Sequence, residues 1–232
     1  MRRLIAILIA ITGIFFLLWN HLPEQDPIAY FDFADKRQFF GVANFWDVIS
    51  NLAFLIVGGL GLFATTRNDR LLFSSLAVAS VLTCMGSSYF HLNPNPETLF
   101  WDRLPMTIAF AAIIGLIVSD RVNVKAGRLS FYFFSCYGLV SVTGWHFGWF
   151  TLKPYIALQG GCMIFTVLAL AAFRRSRHLS DGLLFRVSLF YFLAKVFELQ
   201  DEKIFNLTGQ VSGHSLKHVA AAIAIGILLK SK

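Results

Sequence analysis

Residues 71–91 read LLFSSLAVASVLTCMGSSYFH, and this stretch indicates the fold class of the chain. It contains no Asp, Glu, Lys or Arg along its whole length. A helix needs about 20 mostly apolar residues to cross the hydrocarbon core of a bilayer. The stretch therefore predicts a membrane-spanning helix that ends at His91.

The rest of the chain has the same apolar character. Of its 232 residues, 56% are hydrophobic and only 14% are charged, with a mean hydropathy of +0.65, whereas a soluble domain carries roughly 25% charged residues. We predict an all-α integral membrane protein with eight spans in one bundle and no separate soluble domain. The predicted spans are about 4–20, 46–65, 71–91, 103–119, 129–146, 154–173, 183–199 and 214–230, with ends defined to about 2–4 residues.

The basic residues lie between the apolar stretches. A nucleic-acid-binding surface clusters such residues on one soluble face, so the net charge of +7 does not indicate a nucleic-acid partner. Basic residues are retained in the cytoplasm, which predicts that both termini are cytoplasmic. The predicted cytoplasmic side has twelve: Arg2, Arg3, Arg67, Arg70, Arg121, Lys125, Arg128, Arg174, Arg175, Arg177, Lys230 and Lys232. The predicted outward side has five: Lys36, Arg37, Arg103, Lys153 and Lys203.

The first apolar run, within MRRLIAILIAITGIFFLLW, is longer than the roughly 7–15 residues of a signal-peptide core. No small-x-small cleavage site precedes Asn20, so we expect a membrane anchor. The three cysteines, Cys84, Cys136 and Cys162, fall inside predicted spans without CxxC spacing. They are interpreted as apolar packing residues and not as disulfide or metal-binding thiols.

Three histidines stand at the outward ends of predicted spans. His214 and His218 form HSLKH, an i, i+4 pair whose rings project from one helix face about one turn apart. His91 ends the third span at the same predicted membrane depth. A catalytic zinc usually takes three protein ligands and leaves one position for water. These three side chains are therefore candidate metal ligands.

Two further polar residues are expected at the same depth. Ser87 precedes His91 by one helical turn, and Asp102 follows it by eleven residues, beyond a turn rich in Asn-Pro pairs. A lone histidine is more often interfacial than a ligand, and we interpret His21, His146 and His178 in that way. Ionisable groups inside spans are costly and mark function, so five polar groups at one depth favour a site.

These residues resemble the pattern of the alkaline ceramidases, members of the CREST superfamily. The resemblance rests on Ser87-x-x-x-His91, on Asp102 and on His214-x-x-x-His218, and NFWDVISNL at 44–52 is similar to the segment that opens the first core helix of that family. The resemblance extends from about residue 26 to the end of the sequence. It implies a seven-helix CREST-type domain at 26–232, of a prokaryotic-type member, and leaves 1–25 as an added transmembrane anchor.

The resemblance implies a zinc ion held by His91, His214 and His218. It further implies hydrolysis of the amide of ceramide-like or other N-acyl lipids, with a membrane lipid as substrate. Asp102 would orient the attacking water and move its proton to the leaving amine. Ser87 would donate a hydrogen bond to the developing oxyanion or to a group that orients a ligand.

One departure concerns calcium. The family's eukaryotic members carry a calcium-binding stretch before the first core helix, and FDFADKR here keeps Asp32 and Asp35 but places Arg37 near a ligand position. Calcium prefers six to eight oxygen ligands, so the sequence does not favour a calcium site.

Two interpretations of the function remain. The first is the zinc hydrolase, and the second is a non-catalytic membrane receptor or lipid-binding protein with a structural zinc. In a bacterial cell the protein would lie in the inner membrane with the zinc site near the outward face. The sequence indicates no particular oligomeric state.

Other polar residues lie close in sequence to the predicted site. Glu198, Asp201 and Glu202 are expected to be solvated or ion-paired, the alternative being a hydrogen bond to a ligating imidazole. Ser50 and Asn51 are expected to serve helix packing, the alternative being a contact with the groups around the metal.

Overall fold

The computed structural model describes residues 2–22, 31–63, 69–173 and 176–231. Within these ranges the regular structure is helical, apart from one isolated bridge between Phe39 and Val42. The helices are α1 (Arg2–Leu18), α2 (Phe45–Ser50), α3 (Leu52–Phe63), α4 (Arg70–Leu92), α5 (Pro96–Arg121), α6 (Val124–His146), α7 (Lys153–Ala172), α8 (Asp181–Leu199), α9 (Asp201–Thr208) and α10 (Gly213–Leu229). A short 3-10 turn, Trp19–His21, follows α1. The predicted domain boundary at residues 25 and 26 lies outside the described ranges, as do Arg67, Arg174, Arg175 and Lys232.

Several of these helices are suited to a bilayer. In the described ranges, α2 and α3 taken together, α4, α5 and α7 are long and apolar enough to cross one, and α9 with α10, bent by 111°, adds a fifth candidate. Large apolar side chains such as Leu60, Phe133 and Phe185 are exposed on the outer faces of the bundle. An exposed apolar surface of this kind suits lipid. The chain is thus an all-helical membrane protein in its described part, and the count of eight spans stays a prediction.

Helix α5 occupies the centre of the bundle. It packs along α4 and α6 and also contacts α7, while α8 packs along α10. Small buried residues on α5, among them Ala109, Ala111 and Ala112, allow the neighbouring helices to approach closely. At one end of the bundle α2, α4 and α10 contact one another. The functional side chains described below converge at this end.

The turn between α4 and α5 is shorter than the sequence predicted. The fourth span was expected to start near 103, but α5 begins at Pro96. Asn95 caps it reciprocally with Thr98: Asn95 Oδ1 accepts from the Thr98 amide at 3.0 Å, and Thr98 Oγ1 accepts from the Asn95 amide at 3.1 Å. Proline favours the first helical position, so the second Asn-Pro pair starts a helix. Asp102 accordingly lies inside α5 and does not open it.

The close approach of α4 to α5 near Asp102 requires a glycine. A Cβ added to Gly86 would lie 2.8 Å from the carbonyl carbon of Trp101 and 3.3 Å from the Asp102 amide nitrogen. Such contacts leave no room for a side chain. Gly86 therefore lets the two helices carrying Ser87, His91 and Asp102 meet at backbone distance.

A helix was also missed by the sequence analysis. The segment 200–213 was expected to be a loop, but it contains α9, which has Asp201 and Glu202 in its first turn and is followed by Gly209, whose φ is 63°. Acidic residues stabilise a helix N-terminus, and glycine adopts positive φ readily. The helix has eight residues and little apolar content, so it gave no signal of a membrane span.

The other end of α5 is held by a buried carboxylate. Asp120 Oδ1 accepts hydrogen bonds from the backbone amides of Arg177, His178 and Leu179 at 2.9, 2.6 and 3.0 Å. The neighbouring Arg121 pairs with Asp181 at 2.8 Å. These contacts fasten the segment before α8 to α5, so this polar cluster has a structural role.

Candidate metal centre

Three histidines from two helices meet at the end of the bundle where α2, α4 and α10 contact one another. The ring centroids of His91, His214 and His218 are 4.8 to 5.1 Å apart. One nitrogen from each ring lies within 4.8 Å of the other two, so the group could hold a metal ion. All three side chains are buried. In the described part of the chain, no other set of three His, Cys, Asp or Glu residues meets this distance condition.

The imidazole nitrogens are suited to a cation. His91 Nδ1 and His214 Nε2 are buried and have no hydrogen-bond partner. An unsatisfied buried polar atom costs about 1–3 kcal/mol, and native proteins rarely leave one without a reason. A cation between these rings would satisfy both nitrogens.

The orientation of His218 is set from α2. Ser50 Oγ lies 2.8 Å from His218 Nδ1 and 3.0 Å from the Asp47 carbonyl oxygen, to which it donates. With the hydroxyl hydrogen directed to Asp47, the compatible tautomer of His218 carries its hydrogen on Nδ1 and donates it to Ser50. The lone pair of His218 is then on Nε2, the nitrogen left for a metal.

Asp47 joins α2 to the start of α10. Its side chain is fully buried, and Oδ1 accepts from Ser215 Oγ at 2.6 Å and from Ser212 Oγ at 3.2 Å. The Asn51 side-chain amide donates to the Asp47 carbonyl oxygen at 2.8 Å. Sequence reasoning missed Asp47, although an acidic residue inside an apolar run is a functional signal. Ser50, for which packing was the main expectation and contact with the metal ligands the alternative, contacts a histidine of the triad.

The other two predicted site residues share the histidines' cavity. Ser87 and Asp102 line the same cavity as the three histidines, with a volume of about 50 Å³. Both side chains are buried. Asp102 Oδ2 lies 3.4 Å from Arg103 Nη1, and the Arg103 guanidinium stacks over the Tyr155 ring at 5.4 Å. The structure thus brings all five predicted residues together, and their chemical roles stay predictions.

A second, apolar cavity adjoins the first. It has a volume of about 70 Å³ and shares Phe54, Thr83 and Met106 with the histidine cavity. From there it extends toward Val187 and Leu228 between α5, α7, α8 and α10. An apolar cavity with a polar end suits an amphiphile whose reactive group meets the histidines.

The segment before α2 covers the histidines. The Phe33 ring lies 4.7 Å from the His91 ring and 4.6 Å from the His214 ring, between centroids. Asp201 holds this cover in place, because its carboxylate accepts from the Ala34 amide at 3.0 Å and from the His214 amide at 2.7 Å. Asp201 therefore bonds the backbone of His214 and not its ring, an arrangement that the sequence did not predict.

Both aspartates of FDFADKR, at 31–37, form ion pairs with cations of the same segment. Asp35 forms a two-point pair with Arg37, at 2.8 Å to Nε and 2.7 Å to Nη2, and Asp32 pairs with Lys36. The Asp35 carboxylate raises the pKa of Arg37. Arg37 also donates to the Gln210 carbonyl oxygen at 2.6 Å. The Arg37 guanidinium thus binds both carboxylate oxygens of Asp35, which a calcium ion would need as ligands.

The remaining acidic residues near α8 have different partners. Glu198 pairs with Lys195 and with Lys217, the latter at 3.1 Å, which agrees with the predicted ion-paired role. Glu202 is exposed. His146 lies 3.7 Å from Glu97 and packs against Phe100, and it does not belong to the triad.

An all-helical apolar bundle with a buried histidine triad defines a membrane protein with a candidate metal site. Residues 38–228 match the Ceramidase family, and the chain belongs to this family. All five predicted site residues lie in the matched range. Comparison with curated proteins gave no match. Family membership indicates hydrolysis of the amide of a ceramide-like lipid as the activity to consider.

Proposed function

We propose that the chain is a zinc-dependent intramembrane hydrolase that cleaves the amide bond of ceramide-like or other N-acyl lipids. One observation carries the proposal: three buried histidines with nitrogens in mutual reach share a cavity with a carboxylate and a hydroxyl. Family membership supports the same reaction class.

His91, His214 and His218 would hold the zinc ion. Three neutral imidazoles are a donor set that zinc accepts in catalytic sites, where a fourth position stays open to water or substrate. When bound, zinc supplies positive charge that polarises the amide carbonyl and makes water acidic enough to react near neutral pH. A structural zinc is normally closed by four protein ligands, and the group of donors here contains three.

The chain's own residues would manage the proton and the developing charge. Asp102 accepts a proton from the attacking water and passes it to the leaving nitrogen. The water oxygen forms a bond to the carbonyl carbon, the carbon–nitrogen bond breaks, and a carboxylic acid and an amine result. Ser87 donates a hydrogen bond to the carbonyl oxygen as it gains negative charge. Phe33 shields the site from bulk water, and the adjoining apolar cavity would receive the part of the acyl chain next to the amide.

The partner of His218 gives a first test of the zinc assignment. We expect Ser50→Ala to weaken zinc binding by about 10-fold to 100-fold, because the imidazole loses the group that fixes its tautomer and orientation. Competition with a chromophoric chelator measures this affinity. Ser88→Ala is the matched control, since Ser88 Oγ faces the Val48 carbonyl oxygen at 3.4 Å. Equal zinc affinity in both variants would refute the role of Ser50.

The proposed architecture has eight spans, with an anchor at 1–25 and a seven-helix CREST-type domain at 26–232. The twelve-to-five distribution of basic residues supports cytoplasmic termini. The histidines end α4 and start α10 on the opposite side, so the zinc site would face outward. In a bacterium the membrane would be the inner one.

Reporter fusions test this orientation. Fusions after Lys232 and within 67–70 should be active as cytoplasmic reporters, because basic flanks are retained on that side. A fusion within 92–100 should be active as an external reporter. The reverse pattern would place the histidine site on the cytoplasmic side.

Fatty-acid release from N-acyl lipids, before and after metal removal, tests the function itself. Zinc binding without hydrolysis of any lipid in the panel would favour the receptor or lipid-binding alternative.

A further inference from the structure

The cavity that holds the histidines is unusually rich in charge. Besides the triad, five charged side chains line it: Asp102, Arg103, Lys195, Glu198 and Lys217. Three of these are cations and two are carboxylates. Buried ionisable groups in a membrane protein are costly and mark a function by default. Among the side chains that line the cavity, positive charges exceed negative ones by one.

The pairing within the cavity places this excess on two lysines. Arg103 has Asp102 as an ion-pair partner at 3.4 Å. Lys195 and Lys217 share one carboxylate: Glu198 Oε2 accepts from Lys195, and Glu198 Oε1 accepts from Lys217 at 3.1 Å. The Lys217 side chain is 15% exposed and that of Lys195 is 37% exposed. Lys217 is the less hydrated of the two, so its charge depends more on nearby carboxylates, which are Glu198 and the buried Asp47.

A bound metal would add to this imbalance. Neutral imidazoles bring no charge to offset a divalent cation, so the loaded cavity would have a larger positive surplus. A lipid whose amide joins two uncharged groups offers nothing to compensate it. A substrate with an acidic group beside the amide would do so, and a carboxylate is small enough for a cavity of about 50 Å³.

We propose that the preferred substrate is an N-acyl amino acid type of lipid, with a carboxylate next to the scissile amide, and that Lys217 recognises this carboxylate. Lys195, on α8, contributes to the recognition of the same carboxylate. The proposal rests on the proposed hydrolase function and narrows it. The fatty-acid product is also a carboxylate, but it is common to every N-acyl lipid and cannot by itself produce a preference among headgroups.

A matched pair of substrates tests the proposal on the wild-type protein. N-lauroylglycine and N-lauroylethanolamine release the same fatty acid and differ in headgroup charge. We expect kcat/KM to be at least about tenfold higher for the glycine conjugate in neutral detergent, the effect of one hydrogen bond to a charged group. Equal values, or a preference for the ethanolamine conjugate, would overturn the proposal.

Substitutions of the cavity residues test which side chain causes the preference for the glycine conjugate. Lys217→Gln should reduce the ratio of the two kcat/KM values to near unity, and Lys217→Arg should retain it. Glu198→Gln should increase the ratio, because it removes the carboxylate that competes for the lysines. Lys203→Gln changes an exposed lysine on α9 and should leave the ratio unaltered. A Lys217→Gln protein with the wild-type ratio would show that the lysine has only a structural role.

Binding to the zinc-depleted protein separates this proposal from the function on which it rests. We expect N-lauroylglycine to bind the metal-free wild type more tightly than N-lauroylethanolamine does, with the difference lost in Lys217→Gln. If neither lipid is hydrolysed but this difference is found, the hydrolase function fails and the acidic-ligand site stands. If the two lipids bind with equal affinity, the proposed acidic-ligand site is refuted, whether or not the protein hydrolyses them.

Discussion

Replacing His218 with alanine is expected to reduce the zinc content of the purified protein from about one ion per chain to nearly none. Two imidazoles make a poor zinc site, and His218 is the ligand whose free nitrogen is defined by its contact with Ser50. His214→Ala should have the same effect. Elemental analysis after size-exclusion chromatography measures the zinc content.

Two comparisons make this result specific. His178→Ala changes an exposed histidine outside the triad and should leave the zinc content unaltered. His218→Gln keeps a side chain in the buried position, so loss of zinc in this variant as well, in a folded protein, excludes a mere cavity effect. Full zinc content in both His214→Ala and His218→Ala would show that the ligand assignment is wrong.

The second large effect is expected for Asp102→Asn. Asparagine keeps the shape of the side chain but cannot accept and return the proton, and general acid–base assistance is typically worth about 10²–10⁴ in rate. Hydrolysis of an N-acyl lipid should therefore fall by at least the lower bound of that range, while zinc remains bound. Both zinc content and turnover are measured on the same sample.

Ser87→Ala provides the comparison within the same cavity. We expect it to cost less than Asp102→Asn if its hydroxyl donates a single hydrogen bond, although one oxyanion donor can be worth about 10²–10³. Asp102 also pairs with Arg103, so the thermal transition of Asp102→Asn must be recorded to exclude unfolding. A folded, zinc-loaded Asp102→Asn protein with full activity would refute the proton-transfer role.

The sequence predicted the helices well where apolar composition alone defines them. The predicted span at 71–91 and α4 at 70–92 agree within one residue at each end. The sequence did not predict the start of α5 at Pro96, which depends on helix capping. It also did not predict α9, which is short and amphipathic. A long apolar run is a strong signal, whereas a helix start depends on the particular hydrogen bonds of its first turn.

The sequence predicted that the central residues of the candidate site lie together. It did not predict the residues that contact them. HSLKH and the spacing of Ser87, His91 and Asp102 are local patterns on predicted helices, so their convergence could be inferred. The contact of Ser50 with His218 joins residues 168 positions apart, and so does the hydrogen bond from Ser215 to Asp47. Such contacts follow from the packing of α2 against α10, which no local pattern specifies.

The cover formed by Phe33 illustrates the same limit. Its ring contacts two histidines from different helices, and Asp201 on α9 fixes the neighbouring backbone. In the sequence this segment resembled a calcium site with altered residues. The ion pairs of Asp32 with Lys36 and of Asp35 with Arg37 became evident only from the structure.

The most direct test is fatty-acid release by the wild-type protein through a cycle of metal removal and return. We expect a chelator to abolish hydrolysis, and activity to return in proportion to added zinc until about one ion per chain is bound. Magnesium should not restore it, because magnesium prefers oxygen ligands to imidazole. Undiminished hydrolysis by the zinc-free protein, or no hydrolysis of any N-acyl lipid by the folded, zinc-loaded protein, would contradict the proposed function.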